Sequence, residues 1–160
     1  MPSFDITSEF NHQEVVNAID QMNREIVNRY DFKDTNTSVS FTNDIISLRS
    51  STEERLKAAD QVLREKFAKR NVSIKFLNNF TDEQTPSEAK REYKLKSGLD
   101  KEISKVIVKD LKEFSKKIQS SIQDESIRVS SKKRDELQDA ISFLKKKNYK
   151  VFLNYGNFRD

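Results

Sequence analysis

The chain contains an internal repeat at about half its own length. Residues 45–66 read IISLRSSTEERLKAADQVLREK, and residues 126–147 read SIRVSSKKRDELQDAISFLKKK. Six small or apolar residues of the first segment recur in the second at a constant offset of 81 positions: Ile46, Leu48, Ser50, Leu56, Ala59 and Leu63 correspond to Ile127, Val129, Ser131, Leu137, Ala140 and Leu144. In a chain of 160 residues, this offset predicts two similar domains of about 80 residues each.

The two halves of the chain predict the same order of elements. In the first half, alternating apolar and polar residues predict strands at SFDITS, SVSFTND, IISLRS and VSIKFL, and helical spacing predicts helices capped by Asn11 and Ser51. In the second half, strands are predicted around Tyr93 and at QSSIQ, SIRVSS and KVFLNY, with helices from Leu99 and from about Lys133. Both halves therefore read strand, helix, strand, strand, helix, strand.

This element order is typical of the ferredoxin-like fold. We predict an α+β protein with two tandem ferredoxin-like domains, each a four-stranded antiparallel sheet with two helices on one face. The first domain is predicted to span residues 1–80 and the second, more basic one residues 91–160, with residues 81–90 as a linker or loop. Each sheet would leave one face open, and a functional site is expected there.

Composition argues against several classes of active site. The chain has no cysteine, one histidine and two glycines, so neither a thiolate metal site nor a glycine-rich phosphate loop is predicted. His12 falls in the first turn of a predicted helix, where a solvated position is favoured over a catalytic one. We therefore predict no catalytic residue, no metal site and no cofactor. No apolar run approaches the roughly 20 residues that cross a bilayer, so a cytoplasmic protein with no membrane partner is expected.

Positive charge is concentrated in the second half of the chain. Residues 1–80 contain 11 Lys and Arg against 12 Asp and Glu, whereas residues 81–160 contain 19 against 14. If alternate residues of the second sheet point away from its helices, the open face displays Lys94, Lys96, Gln119, Gln123 and Arg128. Such a face suits a nucleotide or a single strand, whose phosphates would bind the cations. A solvated sheet face without a ligand explains the same pattern equally well.

Several phrases of the sequence resemble one bacterial family. They are MPSFDITSE, REIVNRYDFKD, LKSGLDKE, IQDESIRVSSKKRDELQDAI and, at the C-terminus, NFRD. Together they resemble the YajQ family from the first residue to the last. The resemblance implies a cytoplasmic protein with two RNP-like, ferredoxin-like domains that binds nucleotides. It also implies a link to nucleoside triphosphates, tRNA and cyclic di-GMP, and to transcription-related partner proteins.

The resemblance implies further candidate residues in the second half. The family phrase G-K-x-R-D-D-L-Q falls on residues 131–138, where Ser131 replaces the glycine and either caps the helix or prevents a close approach of phosphate. A basic cluster follows directly, formed by Lys132, Lys133 and Arg134. We predict that this cluster binds phosphate together with the open face of the second sheet.

Secondary candidates lie in two other phrases. The family phrase R-Y/F-D-F-K supplies Arg29, Asp31, Phe32 and Lys33, either as a loop that holds a base or as a helix stop with Phe32 packed beneath it. The C-terminal phrase supplies Phe158 and Arg159. Neither sheet is predicted to carry outward aromatic residues of the kind that stack bases in RNA recognition motifs, so binding on the sheets would depend on charge and hydrogen bonds more than on stacking. Phe32, Phe152 and Phe158 are alternative stacking residues from loops or edges, although a packed position is favoured for each.

Two hypotheses of different classes follow from the sequence. The first is a nucleotide-binding protein without enzymatic activity, whose ligand is a nucleoside triphosphate, a cyclic dinucleotide, or tRNA or other RNA, and which acts as a second-messenger-responsive regulator. The second is a protein–protein adaptor that acts on transcription without a nucleotide ligand. The first predicts binding that weakens with salt, and the second predicts a protein complex that survives nuclease treatment.

Overall fold

The computed structural model describes residues 1–160 as eight strands and four α-helices. The strands are β1 (Ser3–Thr7), β2 (Ser38–Thr42), β3 (Ile45–Ser50), β4 (Phe80–Gln84), β5 (Ala89–Lys94), β6 (Gln119–Gln123), β7 (Ser126–Ser130) and β8 (Asn154–Arg159). The helices are α1 (His12–Asn28), α2 (Glu53–Lys69), α3 (Lys101–Phe114) and α4 (Arg134–Lys147), and two short 3-10 helices span Tyr30–Phe32 and Ile74–Leu77. None of the helices is long and apolar enough to span a membrane.

The chain forms two compact units that do not coincide with the two halves of the sequence. Unit 1 consists of residues 1–9 and 97–160, and unit 2 of residues 10–96. Unit 1 has a four-stranded antiparallel sheet in the order β6-β7-β1-β8, against which α3 and α4 pack. Unit 2 has an equivalent sheet in the order β2-β3-β5-β4 with α1 and α2. The predicted α+β class with two ferredoxin-like domains is confirmed.

The unit boundaries correct the predicted division at 1–80, 81–90 and 91–160. β1 lies between β7 and β8 in unit 1, although it directly precedes the first helix of unit 2. β5 takes the equivalent central position between β3 and β4 in unit 2. The two repeats have therefore interchanged their first strands. Residues expected to form a linker instead belong to the β4–β5 hairpin, where the Thr85 amide donates to the Glu88 carbonyl at 2.8 Å.

Polar contacts hold β5 in unit 2. Tyr93 is fully buried, and its hydroxyl donates a hydrogen bond to the carboxylate of Asp60 on α2. Arg64 of α2 and Arg91 of β5 donate to the same hydroxyl oxygen at 3.4 and 3.2 Å. Arg91 also binds both carboxylate oxygens of Asp82 on β4, at 2.6 and 2.9 Å. A buried hydroxyl without partners costs roughly 1–3 kcal/mol, so these groups favour β5 at this position beneath α2.

Apolar contacts hold β1 in unit 1. Phe4 and Ile6 are fully buried in a cluster with residues of α3, β7 and α4. The Phe4 ring also contacts the rings of Tyr155 and Phe158 on β8, with centroid separations of 6.1 and 5.8 Å. The alternation in SFDITS correctly predicts that Phe4 and Ile6 are buried, but it fits a central position in either sheet.

Two predicted strands differ in the structure. The segment VSIKFL forms the 3-10 helix Ile74–Leu77, which is capped by the side chain of Ser73. Phe76 and Leu77 are adjacent in sequence and both buried, which successive residues of a strand with one solvent-facing side cannot be. The segment KVFLNY is mostly irregular, and β8 begins four residues later than predicted.

Capping and turn signals in the sequence locate the helix starts to within a residue. Asn11 caps α1 by accepting a backbone hydrogen bond at 3.2 Å, as predicted. The cap of α2 is Thr52, one residue after the predicted Ser51. Asn43 and Asp44 have φ of 52° and 59° in the tight turn between β2 and β3, which is the conformation that favours these residue types there.

We expect Tyr93→Phe to lower the free energy of unfolding by about 1–2 kcal/mol, because the substitution leaves Asp60 and two arginines without the hydroxyl that joins them. Urea denaturation followed by circular dichroism measures this change. Tyr30→Phe is the matched control, since the Tyr30 side chain is 88% exposed. Equal stability of the Tyr93 variant and the unaltered chain would show that apolar packing alone holds β5.

Gly98 occupies a tight position between β5 and α3. Its φ is +99°, in the region that favours glycine, and its amide donates to the Ser8 carbonyl at 2.6 Å. A Cβ added at this residue would lie 2.4 Å from a carboxylate oxygen of Glu125 and 3.1 Å from the Glu125 Cβ. Any other residue at this position would therefore be strained and would displace Glu125.

We expect Gly98→Ala to lower the free energy of unfolding by about 1–2 kcal/mol, since an L residue must adopt the unfavourable φ. Gly156→Ala is the matched control because no atom lies within 4 Å of its added Cβ. Thermal denaturation of the two variants side by side makes the comparison. Similar melting temperatures for both would mean that the segment around Gly98 relaxes without cost.

Candidate functional site

The open face of the unit 1 sheet centres on an ion pair. Arg128 on β7 lies opposite Asp5 on β1, and its Nε lies 3.1 Å from Asp5 Oδ1. The side-chain amide of Asn157 donates to Asp5 Oδ2 at 2.6 Å. Both carboxylate oxygens therefore have partners, and Arg128 is already bound to an anion within its own sheet.

The contacts of the Asp5 carboxylate favour its charged form. Burial alone would raise the pKa of Asp5, but hydrogen bonds from Arg128 and Asn157 and the positive charges of Arg128 and Arg159 together lower this pKa below its ordinary value. At neutral pH the carboxylate is ionised and offsets the charge of Arg128.

The rest of this face is mainly uncharged and polar. Gln119, Ser121 and Gln123 lie along β6, where the Gln123 amide donates to the Ser121 hydroxyl at 3.2 Å. The sequence predicted a basic face here because it assigned Lys94 and Lys96 to this sheet. That assignment is corrected, since β1 rather than β5 occupies the central position and brings an acid in place of the lysines.

Lys94 and Lys96 belong to unit 2. Lys94 ends β5 on the open face of that sheet, opposite Ile45, and Lys96 is exposed just beyond the strand. Acids accompany the cations on this face, as in the pair Lys90–Glu92 at 2.8 Å. Unit 1 contains 15 Lys and Arg against 12 Asp and Glu, and unit 2 contains 15 against 14, so the charge asymmetry between the sequence halves is reduced.

A groove of about 330 Å³ lies at one end of unit 1, beside the first turns of α4. β1 and β8 are neighbours in the sheet and α4 packs against β1, so residues distant in sequence meet there. The groove is lined by Pro2, Ser3, Arg134, Leu137, Gln138, Phe158, Arg159 and Asp160. Three of the predicted candidates, Arg134, Phe158 and Arg159, are thus brought together.

The groove combines an exposed aromatic ring with two guanidinium groups. The Phe158 ring packs against Phe4 with centroids 5.8 Å apart, yet 58% of the residue remains exposed. Arg134 donates a hydrogen bond to the carboxylate of Asp160, and Arg159 lies opposite Ser3 at the sheet edge. Rings of this kind stack on planar ligands, and guanidinium groups bind the oxygens of anions.

The basic cluster lies where α4 begins. Lys132 and Lys133 are exposed, and Lys133 at the N-cap makes no side-chain hydrogen bond to the first turn. The suggestion that Ser131 caps the helix is wrong, because Ser131 is buried and donates its hydroxyl hydrogen to Glu136. The first backbone N–H groups of α4 therefore lack a side-chain cap and are available to an anion.

The other secondary candidates form a helix stop. Phe32 is buried, and the Arg29 guanidinium lies over its ring at 4.8 Å. Arg29 also binds Asp31 at 2.7 Å and Glu25 at 3.1 Å. This arrangement agrees with a helix stop that has Phe32 packed beneath it, and of the four candidates only Lys33 is exposed.

Comparisons with known proteins agree with the phrases of the sequence. A family model described as nucleotide-binding protein YajQ-like matches residues 2–159. The chain belongs to the YajQ family. Relatives named nucleotide-binding protein include one from Trichodesmium erythraeum, 43% identical over 98% of this chain and 97% of the relative. Another, from Hahella chejuensis, is 38% identical over 100% of both chains.

Sequence reasoning missed three residues that shape the candidate sites. Asp5 was placed on the face of the wrong sheet, because alternation does not identify a strand's neighbours. Gln138 ends the YajQ phrase that begins at Ser131, and Asp160 ends the C-terminal phrase. Both residues therefore belong to the segments that supply candidate site residues, although the sequence does not single them out. Their relevance depends on β1, β8 and the start of α4 meeting in space.

We expect Asp5→Asn to lower the free energy of unfolding by about 1 kcal/mol at neutral pH, since it removes a charge-assisted contact with Arg128. The folded-state pKa of Asp5 is lowered, so this stabilisation is present above its unfolded pKa and is lost as the pH falls through the folded value. Urea denaturation at neutral pH and at about pH 3 measures the difference. Exposed Asp139→Asn is the control; a pH-independent difference for the Asp5 variant would contradict the ionic explanation.

Proposed function

We propose that this chain binds a nucleotide in the groove of unit 1 and does not catalyse its conversion. The family description and the names of the relatives support the ligand class. The observation that carries the choice of site is that Arg134 already holds the carboxylate of Asp160 at the wall of the groove. A guanidinium group that holds a carboxylate oxygen in this way is suited to a phosphate oxygen.

The phosphates of the ligand are proposed to bind at the start of α4. Arg134 and Arg159 approach the groove from different elements, Lys132 and Lys133 supply further positive charge, and the uncapped first turn supplies backbone N–H groups. A phosphate must displace Asp160 from Arg134. That exchange is feasible because both side chains of the pair are more than half exposed, and exposed ion pairs contribute only about 0–1 kcal/mol.

The base is proposed to stack on Phe158. Its ring is supported from beneath by Phe4 and is open on the groove side, and base–aromatic stacking contributes about 1–3 kcal/mol. Gln138 also lines the groove, and its amide can donate hydrogen bonds to, and accept them from, a base edge or ribose. Phe158, near the end of the edge strand β8, thus supplies an aromatic surface beside the arginines of the groove.

The groove volume favours a compact ligand, since about 300–1,000 Å³ is the usual range for small-molecule sites. A nucleoside triphosphate or one half of cyclic di-GMP fits this volume, whereas tRNA or other RNA would place a terminal nucleotide in the groove and extend along the exposed Lys132 and Lys133. We propose the small nucleotide as the primary ligand. A regulatory role would then follow if the occupied groove alters binding of a transcription-related partner.

We expect Arg134→Glu and Phe158→Ala each to weaken nucleotide binding about tenfold or more, because one loses a phosphate contact and the other a stacking surface. A thermal-shift panel of ATP, GTP, cyclic di-GMP, tRNA and single-stranded RNA first identifies the ligand by concentration-dependent stabilisation. Isothermal titration then measures affinity. The charge control is Lys109→Glu, an exposed position on α3 of the same unit.

Three outcomes separate the remaining alternatives. Unchanged affinity in the Arg134 and Phe158 variants, with loss in a Lys94→Glu/Lys96→Glu variant, would move the site to unit 2. Loss only in an Arg128→Glu variant would place the ligand on the open face of the unit 1 sheet with Gln119 and Gln123. If no nucleotide stabilises the chain, the binding proposal is wrong, and a nuclease-resistant pull-down then tests the adaptor.

A further inference from the structure

The groove of unit 1 has an equivalent in unit 2. A second groove, of about 50 Å³, is lined by residues from the start of α2 and from both strands of the β4–β5 hairpin. In unit 1 the groove is lined by the start of α4 together with β1 and β8. The sheet orders β2-β3-β5-β4 and β6-β7-β1-β8 place β5 and β1 at matching central positions, and β4 and β8 at matching edges. The two grooves therefore occupy the same place in the fold.

The internal repeat matches the helix residues of the two grooves. The offset of 81 positions relates Arg134 to Glu53 and Leu137 to Leu56, and all four residues line their grooves. Both leucines are buried, so the apolar part of this wall is the same in the two units. The charged residue at the helix start differs in sign.

The strand pairing matches the sheet residues in the same way. Arg159 on β8 lies opposite Ser3 of β1, and Glu83 on β4 lies opposite Lys90 of β5. Ser3 and Lys90 are equivalent because their partners on β7 and β3, at positions 130 and 49, are also 81 positions apart. Arg159 in unit 1 is therefore matched by Glu83 in unit 2.

Charge is thus reversed at two matched positions. Glu53 is 58% exposed and makes one ion pair, a contact of 3.7 Å with Lys57. Glu83 is exposed and makes no ion pair within 4 Å. A phosphate that approaches the unit 2 groove meets two carboxylates where the unit 1 groove presents the guanidinium groups of Arg134 and Arg159.

The aromatic surface of unit 1 is also replaced in unit 2. Asp82 corresponds to Phe158, since each directly precedes the reversed charge on its edge strand. In unit 1 the Phe158 ring packs on Phe4 with centroids 5.8 Å apart. In unit 2 both carboxylate oxygens of Asp82 accept hydrogen bonds from Arg91, at 2.6 and 2.9 Å. A salt bridge thus occupies the place where unit 1 offers a stacking surface.

The cations of the unit 2 groove are all bound to acids. The three ion pairs are Lys57–Glu53 at 3.7 Å, Lys90–Glu92 at 2.8 Å and Arg91–Asp82 at 2.6 Å. The first turn of α2 is capped by the Thr52 hydroxyl, whereas α4 has no side-chain cap. The volume of about 50 Å³ is also far below the roughly 300–1,000 Å³ usual for small-molecule sites. Each feature that favours an anion in unit 1 is therefore changed in unit 2.

We propose that the charges at these two matched positions determine which groove accepts an anion, so that the chain binds one nucleotide rather than two. Arg134 and Arg159 admit phosphate to the unit 1 groove, and Glu53 and Glu83 exclude it from the unit 2 groove. A repulsive charge is an effective means of specificity, because it acts against the unwanted complex. The count of one nucleotide rests on the proposed function, whereas the effect of the charges does not.

Charge reversal in unit 2 tests the proposal with inorganic pyrophosphate, which carries phosphate charge without a base. Shifts of backbone amide resonances report binding, with residues 134–138 representing the unit 1 groove and residues 53–57 the unit 2 groove. In the unaltered chain the unit 1 groove should bind at least about tenfold more tightly. Glu53→Arg/Glu83→Arg should strengthen binding in unit 2 about tenfold or more. The control is Glu54→Arg/Glu65→Arg, which changes the net charge equally at exposed positions outside the groove.

Equal pyrophosphate affinities of the two grooves in the unaltered chain would overturn the proposal. So would a reversal variant that gains no more affinity in unit 2 than the control does. Titration with ATP, GTP and cyclic di-GMP should shift residues 134–138 alone at one nucleotide per chain, and a second nucleotide in unit 2 would also contradict the proposal. If no nucleotide shifts either groove, the proposed function and the count of one are wrong, while a gain of pyrophosphate binding in the reversal variant still supports the effect of the charges.

Discussion

The division into units depends in part on the hydrogen bond from the buried Tyr93 hydroxyl to Asp60. This bond ties β5 to α2, and Arg64 and Arg91 complete the partners of the buried hydroxyl. With β5 between β3 and β4, the central position in the other sheet is filled by β1, whose Phe4 and Ile6 complete the unit 1 core. A repeat that looks sequential is therefore assembled from interchanged strands.

The interchange also determines the electrostatics of both open faces. β1 brings Asp5 beside Arg128, and β5 takes Lys94 to unit 2, where acids such as Glu92 accompany it. Two contiguous domains would have given one nearly neutral face, with Asp5 and Arg49, and one basic face. The observed sheets are both nearly balanced, so the predicted basic platform does not form, and this is one reason for proposing the groove beside α4 as the nucleotide site.

Local patterns in the sequence predicted the parts of the fold that local energies determine. Alternation identified the buried residues Phe4 and Ile6, and capping signals located α1 and α2 to within a residue. Which sheet a strand joins depends on contacts between residues such as Tyr93 and Asp60, 33 positions apart, which alternation does not encode. The 3-10 helix Ile74–Leu77 was misread as a strand because its apolar residues also fit a period of two.

The residues of the candidate groove were partly predictable from the sequence, but their meeting at one place was not, because it depends on which strands are neighbours. Arg134, Phe158 and Arg159 were chosen from family phrases, but only the adjacency of β1 and β8 places them around one volume together with Pro2. Because the groove exists only while β1 occupies unit 1, a ligand that binds there also stabilises the interchanged arrangement of strands. Fold and proposed function thus depend on the position of the same strand, β1.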